Sequence, residues 1–121
     1  MTKFDLSQGQ PQNPSSKVNI ETAGRRNQMF CSQCEQTIKG EGCFQTGACG
    51  KSPEVDALQD LLTHCLRGLG EVALKAREVG IIEREIDVFT CEALFATLTN
   101  VNFDPEDFRQ YIDHAIALRE H

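Results

Sequence analysis

The sequence contains no long apolar run. No stretch of its 121 residues approaches the roughly 18 consecutive apolar residues of a membrane-spanning helix, and that excludes a helical membrane protein. No apolar segment follows a basic start at the N-terminus, so a secretory signal is missing and a cytoplasmic location is expected. Basic residues are also few and scattered. Lys and Arg total 12 against 18 Asp and Glu, for a net charge of −6. A nucleic-acid surface needs clustered cations, and Arg25-Arg26 is too short to form one. Internal repeats and alternating strand segments are absent as well.

Cysteine is abundant by contrast. Six occur in the chain, and four of them crowd between residues 31 and 49. A reducing compartment disfavours structural disulfides, so clustered cysteines there point to metal or redox chemistry.

Residues 1–28 are dominated by Gln, Asn, Pro, Ser and Gly and read as a flexible N-terminal extension. Met29 opens a different composition. From Phe30 to Lys51 aliphatic residues are scarce, while Gly40, Gly42, Gly47 and Gly50 sit among the cysteines. Such a loop buries too little apolar surface to order itself, and metal coordination can supply the missing constraint.

Residues 52–121 read as three helices. Ser52-Pro53-Glu54 carries an N-cap, a proline at the first helical position and an acid in the first turn. Val55, Leu58, Leu62, Cys65, Leu69, Val72, Ala76 and Val79 then recur at spacings of three and four, with Leu61, Leu66 and Ala73 widening the stripe and Gly80 as terminator. A second helix is expected from about Glu83 to Leu98, with Ile86, Phe89, Ala93, Leu94 and Leu98 inward. A polar turn, Asn100 to Asp104, leads to a third helix that starts at Asp104-Pro105-Glu106 and turns Phe108, Tyr111, Ile112, Ala115 and Ile116 inward. The expected fold is all-α: a Gly/Cys-rich loop followed by a three-helix bundle with consecutive helices antiparallel. The third helix ends at Leu118-Arg119-Glu120-His121 without a cap or turn residue, as a chain cut inside a larger protein would.

The four clustered cysteines, Cys31, Cys34, Cys43 and Cys49, have the spacing C-x2-C-x8-C-x5-C. Four thiolates in one loop suit either a tetrahedral zinc ion or an iron–sulfur cluster. The spacing lacks the paired knuckles of structural zinc sites and departs from the bacterial ferredoxin run, so both metals remain open at this level. A zinc-stapled interaction module is the rival reading.

Other reactive side chains read as structural. Cys65 lies on the first helix's apolar stripe, and Cys91 beside Phe89, Leu94 and Phe95, so both are expected in the core. His64, His114 and His121 are expected at the surface, and Glu83, Glu85, Asp87 and Glu92 on a solvated face. Among Lys39, Lys51, Lys75 and Arg77, only Lys51 follows a cluster cysteine closely enough to steady a thiolate centre.

The run Met29-Phe30-Cys31-Ser32-Gln33-Cys34-Glu35-Gln36-Thr37, with Gly42-Cys43 and Ala48-Cys49-Gly50-Lys51, resembles the N-terminus of the hybrid cluster (prismane) protein family, known as hydroxylamine reductases. Leu58 to Leu62 and Glu92 to Phe103 resemble later segments of the same family, so the likeness covers residues 29–121. The resemblance implies that the four cysteines bind a cubane 4Fe–4S cluster, wider-spaced members holding 2Fe–2S. It implies an oxidoreductase that reduces hydroxylamine to ammonia and water, fed by an electron-donating reductase. In that family a hybrid iron–sulfur–oxygen cluster lies in later domains, whose ligands this chain lacks. The expectation is therefore the N-terminal electron-transfer part of a larger enzyme, inactive by itself, with no nucleic-acid or membrane partner.

Overall fold

The computed structural model describes residues 28–121, and the expected extension over residues 1–28 lies, except for Gln28, outside them. Three α-helices follow an irregular loop: α1 (Pro53–Glu78), α2 (Arg84–Ala96) and α3 (Pro105–Glu120). The described residues form no strand, only one isolated antiparallel bridge between Cys31 and Cys43. The fold is all-α, and none of its described helices is long and apolar enough to cross a membrane.

The ends of α1 follow from local chemistry. The Ser52 side chain accepts the Val55 N–H at 3.2 Å, and Pro53 occupies the first helical position, where a missing N–H costs nothing. At the other end Gly80 takes φ 84°, Ile81 N–H reaches Ala76 C=O at 2.9 Å, and Gly80 N–H reaches Arg77 C=O at 3.0 Å. These two bonds form a Schellman closure. Asp104 caps α3 by accepting the Glu106 N–H at 2.8 Å.

The helices run up, down and up. Arg77 near the end of α1 pairs with Asp87 near the start of α2, so those two are antiparallel. Glu54 pairs with Arg109, and Gly68 lies against the Arg119 guanidinium, so α1 and α3 run parallel. The core joins Val55, Leu62, Leu66 and Leu69 of α1, Phe89, Ala93 and Ala96 of α2, and Phe108, Ile112 and Ala115 of α3. Phe89 stacks at 4.4 Å from the His114 ring and 6.2 Å from Tyr111, linking α2 to α3.

Several residues expected inward face solvent. Val72 and Val79 are exposed because α1 has 26 residues and α3 only 16, so the upper part of α1 outruns its partner. Leu61, Leu94 and Ile116, at the margins of their stripes, are also exposed. Leu98 lies beyond the end of α2, which stops at Ala96, and is exposed as well.

Candidate functional site

The loop over residues 29–51 is held by backbone and side-chain bonds in place of a core. Cys31 and Cys43 exchange N–H···O bonds at 3.0 and 2.8 Å, and Met29 N–H reaches Phe44 C=O at 2.9 Å. Those bonds bring the first and third cysteines together across the loop. Gly47 N–H meets Lys51 C=O at 2.8 Å, and Gly50 N–H meets Gly47 C=O at 2.9 Å, closing a turn around Cys49. Gly50 adopts φ 94°, a conformation open chiefly to glycine. Gly47 is needed for space, since a Cβ there would stand 3.0 Å from Cys49 Sγ and 3.0 Å from Lys51 Cβ.

Cys31, Cys34, Cys43 and Cys49 all line one cavity between this loop and the helices. Cys43 is buried, Cys31 and Cys34 are half-buried, and Cys49 is exposed. Leu98, Thr99 and Phe103, from the α2–α3 connection, line the same cavity. All six cysteines are free thiols. No three described Cys, His, Asp or Glu side chains close on a point that a single ion could fill. The structure thus gathers the four cysteines around a shared space.

Two features invisible in the cysteine spacing frame this space. Gln33, between the first two cysteines, donates to Thr97 C=O at 2.9 Å and accepts from Thr99 Oγ at 2.9 Å, tying the loop to the end of α2. Lys51 is buried, and its ammonium donates to Asp56 Oδ1 at 2.7 Å and to Gln59 Oε1 at 3.0 Å. Burial is the largest single influence on Lys51 and would lower its pKa. The hydrogen bond to Asp56 and its charge, with a contribution from nearby Cys31, outweigh burial, so the pKa lies above the ordinary lysine value. Asp56 and Gln59 sit three residues apart on one face of α1, a spacing visible in the sequence once Lys51 is taken as buried.

Sulfur also has a backbone donor, since Ala48 N–H points to Cys43 Sγ at 3.3 Å. Cys65 is half-buried against the core, as expected, but Cys91 is exposed. In α2 the buried positions are Phe89, Ala93 and Ala96, and Cys91 falls between them on the outer face. His64, His114 and His121 are exposed, as expected, and so are Glu83, Glu85 and Glu92.

The fold and the cavity define a small helical unit whose N-terminal loop presents four free thiols to one enclosed space. The chain belongs to the Prismane/CO dehydrogenase family, whose model matches residues 29–121. Proteins named hydroxylamine reductase from Trichormus variabilis, Microcystis aeruginosa and Methanocella arvoryzae are 67%, 64% and 60% identical to it over 92 residues. That match takes in 76% of this chain but only 17% of each relative, so the chain spans a small part of the length of the curated proteins it matches.

Proposed function

We propose that Cys31, Cys34, Cys43 and Cys49 hold an iron–sulfur cluster, of the 4Fe–4S type, in the electron-transfer part of a hydroxylamine reductase. The observation that carries this reading is the cavity that all four thiols line. Four cysteines around one cavity can hold a cluster, each binding a different iron, and membership of the Prismane/CO dehydrogenase family supports iron–sulfur chemistry. The donor set fits on further grounds. Gly47 leaves room beside Cys49, and the Ala48 N–H is already directed at Cys43 sulfur.

Bound there, the cluster supplies a site that accepts and releases one electron. The rest of the work falls to the chain's own residues. The four cysteines would serve as thiolate ligands. Gln33 pins the loop to the end of α2, and half-buried Phe103 adds an apolar side chain to the cavity lining. Cys49 is exposed, which gives an outer face for electron entry from a reductase partner. The hydroxylamine chemistry belongs to the remaining length of such an enzyme. Free thiols suit a reducing cytoplasm as the compartment.

The test is anaerobic expression with iron supplied, followed by a visible spectrum and metal and sulfide analysis. A brown protein with about four iron and four sulfide per chain, both lost in Cys43→Ser, is expected. A colourless protein with one tightly held zinc would overturn the assignment and leave a structural module.

A further inference from the structure

Lysine is among the residues least often found fully buried, and it is rarely so without a partner. Lys51 is only 5% exposed, at the root of the cysteine loop. Its ammonium has three N–H donors. One meets Asp56 Oδ1 at 2.7 Å and one meets Gln59 Oε1 at 3.0 Å, and Lys51 lines the same two cavities as Cys31. The main chain of Lys51 is fixed too, because its carbonyl accepts from Gly47 N–H at 2.8 Å and from Thr46 Oγ at 3.3 Å. Lys51 and Gln59 border both the four-thiol cavity and the polar cleft beside it, which also holds Asp56 and Asp60. An apolar side chain could fill such a position at least as stably as a buried ion pair. Packing alone therefore does not account for a charge here.

We propose that Lys51 is a fixed cation beside the four-cysteine cavity that raises the reduction potential of the centre held there, with Asp56 and Gln59 fixing its ammonium. This rests on the iron–sulfur reading given above. Reduction adds one electron and makes the centre more negative, with no bond made or broken. A buried positive charge beside the centre favours the reduced state. Asp56 opposes it, being a buried carboxylate paired with the same ammonium at 2.7 Å. Lys51 thus positions charge and does not itself react.

The test is a spectroscopic redox titration of the reconstituted full chain, with iron and sulfide measured on each sample. Lys51→Met is expected to lower the midpoint potential, Lys51→Arg to hold it near wild type, and Asp56→Asn to raise it. A lysine that only props up the loop would change cluster content or melting temperature without shifting potential in opposite directions. Equal potentials in wild type and Asp56→Asn, or a shift of the same sign in Lys51→Met and Asp56→Asn, would overturn the proposal while leaving the cluster assignment intact. If Lys51→Met does not fold, the rise in Asp56→Asn decides. A wild-type chain that takes up no iron or sulfide removes both the cluster reading and this one.

Discussion

Leu62, Leu69 and Phe108 have no solvent exposure, and they come from both long helices of the core. Phe108→Ala would leave a cavity that neighbouring helices fill only in part, at a cost of about 3–5 kcal/mol. Against a typical total of about 5–15 kcal/mol, urea denaturation should show a large drop in midpoint. Asp60 provides a test of sign. Asp60 is exposed, but partial desolvation on α1, and then the charge of Asp56, raise its pKa above the ordinary aspartate value. A carboxyl raised in the folded state costs stability above its folded pKa, and that cost fades as pH falls through it. Asp60→Asn should therefore stabilise slightly at neutral pH, with the gain lost once the pH falls below the ordinary aspartate value. Thermal melts at two pH values check this. Residue roles were legible where they follow from local sequence. The four cysteines stand out by spacing, and Cys65 by its place on a stripe. Cys91 was misread because a single turn of α2 does not reveal which side meets α1. Asp56 and Gln59 gain their role from a lysine that only the folded loop buries.

At the scale of elements, the helix starts rest on named side chains. Ser52→Ala removes the acceptor of the Val55 N–H and should cost about 1 kcal/mol, while Ser52→Gly should cost only a few tenths. Chemical denaturation of the two variants separates the cap from mere side-chain loss. Caps, prolines and the Gly80 terminator are local, and so the bounds of α1 and the start of α3 were readable from the sequence. The tie from Gln33 to Thr97 and Thr99 was not, since its partners stand 64 and 66 residues away. Periodicity marks which stripe a helix can bury, but it does not say how far a neighbouring helix extends. That is why the stripe of α1 was drawn to Val79 while its burial stops at Leu69.

For the whole molecule, the consequence lies at the end away from the cysteines. There Leu74, Val79, Ile81 and Ile82 are 65%, 74%, 54% and 63% exposed, around the turn between α1 and α2. Contiguous exposed apolar surface favours association, and 76% of this chain matches only 17% of much longer relatives. Residues packed in the core would lose stability on acquiring a charge, whereas solvent-facing ones change it by less than about 0.5 kcal/mol. Val79→Lys with Ile82→Lys should accordingly leave the melting temperature nearly unchanged and reduce self-association of the isolated chain at high concentration. Sedimentation velocity across a concentration series measures the second effect. A marked fall in melting temperature would mean that these side chains stabilise the fold itself. Unchanged self-association would place the sticky surface elsewhere, with the exposed Phe30–Phe44 pair beside the cysteine loop as the next face to charge.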